Sequence, residues 1–558
     1  MLKYYLKNSL NSVAKLTLDI EVSLLNSPPP SSYSLKRFLD SAVGILGPGN
    51  IVSDQEQIQL KTQNSLAIDR AVPAILYPNK ASQIVSLVKL ASDCDIEIYA
   101  VSRGRNIGYG ETNPPRHGQV VISLEKMNQI TSFDPHLGEV TLGPGVTQIQ
   151  LADFLKSQGD EWIADVTGAP SDASLVGNTL DGGFGHTPLG NHREHILELE
   201  AVLGNGQILR TGRFPGLGPN LAGLFVQSNF GIVTSLRIPL LRKPERILTY
   251  LVNFKSEDDF TTSIPILLKL RQIGVIQNLM HVANATRIYM STNHFPCHLS
   301  PETVLSDIDC RNLMKVPLLT PPLWAGVGGL YGSKSQVKES ARLLRKALKG
   351  RGKVQFFSTN KVKWLRRFAR LIFWRSPTTY SDVSSRLDSI DAIHGLCQGV
   401  PTDRPYEHIH WRGSTLSELG LIWISPVISA SPTAAHQLIH VLAPVFSKFG
   451  FELPITMTFI DHAHLVCVLN ICFDKSSPKD VARAHQAYQM IEQTLIRHKI
   501  HQYRKGILSQ ESCIPNERLA TIRVLKSAMD PNGVLAVGRY GIHPQADYHQ
   551  AIEAKGVI

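Results

Sequence analysis

Three glycine-rich segments in the first half of the sequence constrain the fold more than any other feature. They lie at 103–110, 165–186 and 228–234, and the first and last of them adjoin apolar runs typical of strands. Glycine lets the backbone approach a ligand closely and lets neighbouring N–H groups converge on an anion. One such segment is typical of an ordinary turn, whereas three together favour loops that enclose a large, planar, charged ligand. The first segment does not match G-x-G-x-x-G, so a nicotinamide-binding Rossmann loop is not supported.

The sequence around these segments alternates between helix and strand patterns. Apolar residues from Ile84 to Ala91 recur at the spacing of a helix, and apolar runs at 96–102, 118–124 and 139–145 predict buried strands. Strands and helices in quick succession predict an α/β fold for this half.

From about 244 the pattern changes to longer helical stretches separated by strands. The apolar runs at 419–428 and 464–473 predict central strands of a second sheet. The segment 525–542 is typical of a helix followed by a glycine-rich turn. At ~150 residues per domain the chain is long enough for several domains, and large α/β folds reduce that number to two.

Composition excludes several other classes of protein. Hydrophobic residues make up 43% of the 558 residues and charged residues 18%, which is typical of a globular chain. The seven cysteines form no C-x-x-C pair, and no convincing metal-ligand set is present, so we expect no metal. The net charge of +11 is spread along the chain, and we expect no nucleic-acid partner. Because neither a secretory signal nor a membrane-spanning run is found, we expect a soluble, cytoplasmic protein.

The ordered motifs resemble one flavoprotein family. The segments R-N-I-G-Y-G, G-P-G-V-T, S-L-V-G-N, G-N-G-Q-I-L-R-T-G, S-N-F-G-I-V-T and D-P-N-G-V-L-A-V-G-R-Y-G occur in order between about 71 and 545. In content and spacing they are similar to the flavoproteins related to vanillyl-alcohol oxidase and the flavoprotein subunit of 4-cresol dehydrogenase (p-cresol methylhydroxylase, PCMH). The resemblance implies an FAD-dependent oxidase or dehydrogenase.

The resemblance also implies a two-domain α/β (α+β) architecture. We expect an N-terminal helical extension at 1–45 and a PCMH-type FAD-binding domain at 46–243. An α+β cap domain would follow at 244–505, and 506–558 would return to the FAD-binding domain.

Matching the motifs residue by residue implies a set of FAD contacts. The expected contacts with the diphosphate are Gly104, Arg105, Asn106, Ile107 and Gly108; those from the diphosphate toward the ring are Gly168, Ala169, Ser174, Gly177 and Asn178; those at the adenine end are Gly231, Ile232 and Val233. Arg539 is expected near the pyrimidine edge of the flavin. A cation there would favour the anionic reduced flavin.

The substrate residues implied by the resemblance are Tyr109, Tyr503 and Arg504. Two hydroxyl donors and a permanent cation aimed at one oxygen would stabilise a phenolate. The expected reaction is hydride transfer from the benzylic carbon of a para-substituted phenol, such as a 4-alkylphenol or 4-hydroxybenzyl alcohol, to flavin N5. The alternatives are oxidation of an alcohol or hydroxy acid, with Arg504 binding a carboxylate, and a flavin-fold protein without turnover. The electron acceptor is oxygen or a redox protein, and we expect a homo-oligomer.

Two positions depart from the pattern that the resemblance implies. An acidic residue is expected beside flavin N5, but the matching position is Gly168 or Ala169. The nearest carboxylate is that of Asp172, which we expect to cap the following helix. Leu421 occupies the usual position of the covalent flavin tether, which predicts non-covalent FAD unless His408 or His410 reaches the ring.

Basic charge is locally concentrated only at 360–375. As a helix, this segment would place Trp364, Leu365, Phe368, Leu371 and Ile372 on one face, and Lys363, Arg366, Arg367 and Arg370 elsewhere. That pattern fits peripheral contact with a membrane surface, a helix that docks on a protein partner, or a helix buried against the cap with solvated arginines.

Overall fold

A computed structural model describes residues 30–212, 216–300, 302–315, 321–404, 411–412, 415–509, 514 and 516–544. The predicted mixed helix–strand fold is confirmed. Helices in the first half are α1 (Ser32–Leu46), α2 (Gln55–Lys61), α3 (Ala81–Cys94), α4 (Gln148–Ser157) and α5 (Leu175–Leu180). The strands there are β1 (Ile51–Val52), β2 (Ile75–Leu76), β3 (Ile98–Val101), β4 (Val120–Ser123), β5 (Ile130–Asp134), β6 (Glu139–Leu142), β7 (Trp162–Ile163), β8 (Glu198–Leu203), β9 (Ile208–Arg210), β10 (Gly231–Pro239) and β11 (Leu241–Arg242).

These strands form two main sheets that carry the glycine-rich segments. The first has the order β1-β2-β4-β3, in which β4 runs parallel to both β2 and β3. The second is antiparallel, with the order β5-β6-β10-β8-β9, and β11 pairs separately with β7. The predicted strands at 96–102, 118–124 and 139–145 correspond to β3, β4 and β6. The segment 103–110 directly follows β3, and the segment 228–234 runs into β10.

Helix α1 differs from the sequence-based expectation of an extension outside the core. Phe38, Ala42 and Leu46 of α1 are buried in one cluster with Ile84 and Val88 of α3. Their spacing of four residues places them on one face of the helix, and that face packs against α3. The described part of the expected extension therefore belongs to the core of the first half.

The second half is built on one nine-stranded sheet. Its strands are β12 (Arg246–Phe254), β13 (His281–Asn284), β14 (Trp324–Gly332), β15 (Gly352–Phe357), β16 (Leu419–Ile424), β17 (Pro426–Ser429), β18 (Ile455–Phe459), β19 (His464–Asp474) and β20 (His501–Gln502). The order is β15-β12-β14-β13-β18-β19-β17-β20, and β16 pairs with β19. The run at 464–473 is central, as predicted. The run at 419–428 divides at Pro426, and its first part pairs only with β19 among the described strands, so the prediction of a central strand there is wrong.

The two faces of this sheet have different environments. Side chains alternate along a strand, so Val252, Val282 and Met457 are buried against helices, whereas the neighbouring residues Leu251 and His281 line a large cavity. The described helices of this half, together with the one that follows it, are α6 (Glu257–Thr261), α7 (Ile264–Gln272), α8 (Ala285–Met290), α9 (Asp307–Leu313), α10 (Lys334–Ala347), α11 (Thr359–Ile372), α12 (Pro377–Leu396), α13 (Pro432–Lys448), α14 (Pro478–Arg497) and α15 (Asn516–Met529). None of the described helices is long and apolar enough to span a bilayer.

The segment after α15 packs on the first half through a buried ion pair. Lys526 and Asp530 are fully buried, and their charged atoms lie 2.6 Å apart. The ammonium group also donates to the carbonyl oxygens of Asn229 and Leu535. The Asp530 carboxylate accepts the N–H groups of Val534 and Leu535. This network holds the turn at 530–535 beside the third glycine-rich segment.

Asp530→Ala should lower the free energy of unfolding by about 3–5 kcal/mol, because it leaves the Lys526 ammonium group buried without its counter-charge. Urea denaturation followed by circular dichroism measures the loss. Asp93→Ala, at an exposed position of α3, is the matched control and should change stability by less than about 0.5 kcal/mol. A loss from Asp530→Ala as small as that of the control would contradict this account of the ion pair.

Candidate functional site

Two connected recesses lie where the first-half loops meet the nine-stranded sheet. The larger has a volume of about 1790 Å³ and extends from the loop 103–110 across the sheet face to α11 and α12. The smaller has a volume of about 230 Å³ and is enclosed by the three glycine-rich segments. The two recesses meet at the residues that line both, which are Arg105, Asn106, Ala169, Asn178 and Arg504.

The structure brings the expected FAD-contact residues together. The residues lining the smaller recess include Gly104, Arg105, Asn106, Ala169, Ser174, Gly177, Asn178, Gly231, Ile232, Val233 and Arg539. Ile107 and Gly168 line the larger one. Gly108 is the exception, because a Cβ at this position would lie 2.3 Å from Cδ1 of Trp423. Its role is close packing against the second half.

The geometry of the smaller recess fits a dinucleotide. Gly104 has φ of +64°, and a Cβ there would lie 2.3 Å from Oγ1 of Thr112. A Cβ on Gly177 would lie 2.9 Å from Oγ of Ser102. The backbone therefore lies closer to its surroundings than a side chain allows. The Ser228 hydroxyl at this recess is buried without a hydrogen-bond partner in the described part of the chain, so it is available to a polar ligand.

The predicted role of Asp172 as a helix cap is wrong. The hydroxyl of Ser174 caps α5 by accepting the N–H of Gly177 at 3.0 Å. Asp172 instead accepts a hydrogen bond from Nε of Arg105 at 2.7 Å, and both side chains are exposed. Asp172 is not among the described residues that line the large cavity, so it does not replace the carboxylate that is absent at Gly168 and Ala169.

Tyr109, Tyr503 and Arg504 meet at one wall of the large cavity, although they come from distant segments. The guanidinium carbon of Arg504 lies 4.0 Å from the centre of the Tyr109 ring. The Tyr109 hydroxyl lies 3.0 Å from Oγ of Ser425. The Tyr503 backbone N–H donates to the carbonyl oxygen of the same serine at 3.0 Å. Ser425 therefore positions both tyrosines.

Burial raises the pKa of both tyrosines. For Tyr109 the opposing effects of Arg504 and of hydrogen bonds from Ser425 and Tyr503 are smaller. For Tyr503 burial is again the largest cause, followed by the neighbouring Tyr109. Both hydroxyl groups are therefore protonated at neutral pH and can donate to an anionic oxygen.

Sequence reasoning missed Asp181, the acidic centre of the site. Its carboxylate accepts from Arg504, from Arg539 at 3.3 Å and from the Tyr540 hydroxyl. Burial raises the pKa of Asp181, but the Arg504 and Arg539 guanidinium groups hold it below its usual value. The available signal was an acid directly before the Gly182–Gly183 pair, although Asp165 and Asp172 lie in the same segment. Two buried arginines require a counter-charge, and this acid supplies it.

Arg539 is buried as expected near the smaller recess, but it is not an isolated cation. It pairs with Asp181, its guanidinium carbon lies 4.0 Å above the Tyr540 ring, and it donates to the carbonyl oxygen of Lys505 at 3.2 Å. Because Asp181 offsets part of the charge, the effect of Arg539 on a bound flavin is weaker than that of a lone guanidinium group.

Two histidines that the sequence reasoning did not select also line the large cavity. The rings of His186 and His281 lie 4.6 Å apart, and Phe184 connects them to Tyr503. Burial lowers the pKa of His186 to about 4, so its ring is neutral at neutral pH. A Cβ on Gly168 would lie 3.6 Å from Nε2 of this histidine. His186 is thus the titratable group that faces the position of the absent acid.

The residue at the expected tether position packs against other side chains. Leu421 is fully buried in a cluster with Trp411 and Cys472. Two residues further along the same strand, Trp423 donates from Nε1 to the carbonyl oxygen of Ile107 at 2.8 Å. This face of β16 therefore supports the loop 103–110. His408 and His410 lie outside the described residues.

The clearest candidate group of metal ligands in the described residues lies away from this site. Donor atoms of Glu257, His436 and His440 come within 4.8 Å of one another. His436 already contacts Glu257 at 2.8 Å and Thr261 at 2.9 Å. We assign no ion to this group.

Comparison with known proteins supports the cofactor and the fold. Residues 72–212 match the FAD binding domain family. The 1'-carboxy-chondrochloren decarboxylase of Chondromyces crocatus is 28% identical over 547 residues, which cover 93% of this chain and 100% of that protein. The 4-cresol dehydrogenase [hydroxylating] flavoprotein subunit of Pseudomonas putida is 26% identical over 532 residues, 90% of this chain and 95% of that one.

Solved structures share the whole architecture. The 4-ethylphenol oxidase from Gulosibacter chungangensis superposes with a TM-score of 0.83 at 21% identity, covering 93% of this chain and 100% of that one. These matches and the convergence of the glycine-rich segments identify FAD as the cofactor of an oxidoreductase. The chain therefore resembles FAD-dependent flavoproteins of the PCMH type over about nine-tenths of its length, and its residues 72–212 match an FAD binding domain.

Proposed function

We propose that this enzyme oxidises para-substituted phenols at the benzylic carbon. The observation that carries the proposal is the meeting of Tyr109, Tyr503 and Arg504 at one wall of the cavity, beside the FAD recess. Within this proposal, 46–243 and 506–558 form the FAD-binding domain, and 244–505 form the cap over the substrate.

The three side chains suit a phenol oxygen. Both tyrosine hydroxyls are protonated donors, and Arg504 keeps a buried Nε without a hydrogen-bond partner in the described part of the chain. Together they would hold the phenol oxygen in its ionised form. FAD, when bound, supplies the acceptor for a hydride from the benzylic carbon. The phenolate then loses that hydride as its oxygen becomes a carbonyl, and the substrate leaves this step as a neutral quinone methide.

The next step depends on groups beside Gly168. No carboxylate lies there among the described cavity residues, but the neutral imidazole of His186 faces this position. We propose His186 as the acceptor of a proton, either from water that adds to the benzylic carbon or from the adjacent carbon of the substrate. Addition of water yields an alcohol and loss of the adjacent proton yields an alkene, so the products report which proton His186 takes.

The cavity favours a substrate much larger than a simple cresol. Its volume of about 1790 Å³ would also hold the flavin ring, because Ile107, Gly168 and Ala169 line it, so the extent of the cavity and not its total volume indicates the size of the substrate. It continues from Tyr503 past the apolar side chains of Leu365 and Phe373. We therefore propose that the para substituent is long and apolar and lies beneath α11 and α12.

The experiment compares three sets of substrates with an artificial electron acceptor. The proposal predicts turnover of 4-alkylphenols, with kcat/KM rising at least about tenfold from methyl to octyl, since each buried methylene contributes about 0.8 kcal/mol. It predicts no turnover of the corresponding methyl ethers, which cannot ionise. Turnover of D-2-hydroxy acids in place of phenols would support the alternative in which Arg504 binds a carboxylate. Pairing of Arg504 with Asp181 argues against that alternative.

A second candidate reaction is oxidative decarboxylation of a phenol whose side chain carries a carboxylate on the carbon next to the benzylic carbon. Two observations favour it: similarity to a decarboxylase over the whole length of that relative, and the presence of Arg287 and Arg311 in the cavity lining. A quinone methide with such a carboxylate regains its aromatic ring by losing CO₂ and leaves a vinylphenol. Release of CO₂ from 3-(4-hydroxyphenyl)propanoate would establish this route, and alcohol formation alone would exclude it.

We propose that FAD is bound without a covalent link, because Leu421 cannot form one. Precipitation with acid should therefore release all the flavin into the supernatant, and the denatured protein band should show no flavin fluorescence. Leu421→His offers a comparison, since it restores a side chain able to form the bond. Fluorescence retained by the denatured wild-type protein would show that another residue is the tether.

A further inference from the structure

The outer face of α11 carries large apolar side chains that are 46% to 74% exposed. Trp364 is 59% exposed, Leu371 is 74% exposed, and Trp374, just beyond the helix, is 68% exposed. Phe368 and Ile372 are also exposed and lie on the same side. The rings of Trp364 and Phe368 stack with their centres 5.2 Å apart, so the apolar side chains form one continuous surface. We call these five residues the α11 face.

The opposite side of the helix is fixed to the protein. Leu365, Ala369 and Phe373 pack with Val383 and Leu387 of α12. The sequence-based expectation that Leu365 shares a face with Trp364 is therefore wrong.

Arg366 also binds within the protein, since it contacts Asp388 at 2.5 Å. The α11 face is thus held outward by a packed inner side.

The α11 face adjoins the mouth of the large cavity. Phe368 and Ile372 belong to both, because they line the cavity and are also exposed. The inner residues Leu365, Ala369 and Phe373 line the cavity as well. A single helix therefore separates the substrate cavity from the exposed apolar surface.

Basic side chains surround this apolar surface. Lys363, Arg367 and Arg370 are exposed and recur every three or four residues, which places them in a stripe beside the α11 face. Arg351 and Lys353 are exposed and line the cavity mouth. Asp388 and Asp391 of α12 face Arg366 instead, and no ion pair joins Lys363, Arg367 or Arg370 to an acid whose side chain the structure describes.

We propose that the α11 face docks on the surface of a bilayer that contains anionic phospholipid, with the cavity mouth turned toward the lipid. Tryptophan prefers the boundary between headgroups and acyl chains, and lysine and arginine beside it attract anionic headgroups. A second copy of this chain fits less well, because a two-fold interface would bring the two basic stripes together. Docking does not depend on the proposed reaction. If that reaction is correct, a phenol with an apolar tail enters the cavity from the bilayer.

The test is flotation of the full-length, FAD-loaded protein with two kinds of vesicle. One is made of phosphatidylcholine alone, and the other contains 30% phosphatidylglycerol and is used at about 0.1 M salt. The wild-type protein should float with the anionic vesicles. Trp364→Ser, Leu371→Ser and Trp374→Ser together should reduce the partition coefficient at least about a hundredfold, since three large apolar side chains lose their contact. Lys363→Gln, Arg367→Gln and Arg370→Gln together should reduce it at least about tenfold.

Matched variants control for composition and charge. Leu60→Ser, Ile273→Ser and Val524→Ser remove three exposed apolar side chains from other surfaces and should leave flotation unchanged. Lys36→Gln, Lys80→Gln and Lys156→Gln remove the same charge elsewhere and should weaken binding by less than about threefold. Thermal melting and bound flavin must match the wild type in every variant that is compared.

Three outcomes would overturn the proposal. The first is absence of flotation of the wild-type protein with anionic vesicles. The second is equal loss of flotation in the α11-face variant and its matched control. The third is a change from dimer to monomer in the α11-face variant without vesicles, measured by sedimentation velocity, since a second copy would then cover the face. None of these readouts uses turnover, so failure of docking is distinguishable from failure of the proposed function.

Discussion

Tyr109→Phe should lower kcat/KM for 4-alkylphenols by about 100- to 1,000-fold, the range found when one donor to a developing oxyanion is removed. The variant keeps the ring beneath Arg504 and loses only the hydroxyl that contacts Ser425. The cavity shape and the FAD recess are therefore preserved, and the loss falls on ionisation of the bound phenol. Steady-state kinetics with equal flavin loading measures the effect.

Tyr250→Phe is the matched control for that variant. Tyr250 is fully buried in the core behind the cavity wall, and its hydroxyl has no hydrogen-bond partner among the described residues. Its removal should change kcat/KM less than about twofold. Equal turnover of phenols by Tyr109→Phe and Tyr250→Phe would contradict the role of Tyr109 at the phenol oxygen.

Asp181→Ala should lower the free energy of unfolding by about 3–5 kcal/mol, because it leaves Arg504 and Arg539 buried without their shared carboxylate. Repulsion between the two guanidinium groups adds to the loss and disturbs the wall that holds Tyr109. Chemical denaturation of the apoprotein separates this effect from any change in FAD binding. The same variant should also bind FAD more weakly.

Asp172→Ala provides the comparison within the same region. Asp172 also pairs with an arginine, but the side chains of Arg105 and Asp172 are 53% and 37% exposed. Loss of such an exposed pair typically costs about 0–1 kcal/mol. If Asp172→Ala destabilised the protein as much as Asp181→Ala, burial of the Asp181 network would not explain its effect.

The glycine-rich segments were predictable in function because their backbone requirement is local. The positive φ at Gly104 is such a requirement, because it favours glycine whatever side chains surround it, and the sequence shows it directly. The order of the motifs then gave the family resemblance, which predicted that three distant segments meet around one recess. The same local reasoning predicted the strands that lead into those segments.

Residues that act through distant partners were harder to predict. Asp181 has a role only because Arg504 and Arg539, more than three hundred residues away, meet it in the fold. His186 comes close to Gly168 only in the fold, and no spacing in the sequence records that distance. In α1, Phe38 and Ala42 show a helical apolar stripe, but which surface covers it depends on α3.

Helix periodicity was sufficient to detect α11 but not to orient it. The apolar residues cover more than one side of the helix, so spacing alone cannot separate the packed side at Leu365 from the exposed side at Trp364. Packing of Leu365, Ala369 and Phe373 against α12 fixes the orientation, and that contact needs α12 to be in place.

The central claim is tested most directly by mixing the FAD-loaded protein with 4-octylphenol in the absence of oxygen and following the flavin absorbance. The account predicts rapid bleaching by 4-octylphenol and none by its methyl ether, which has the same tail but no ionisable oxygen. Subsequent admission of air would show whether oxygen accepts the electrons. No bleaching by any 4-alkylphenol, or equal bleaching by the methyl ether, would contradict the proposal that Tyr109, Tyr503 and Arg504 bind a phenolate for oxidation.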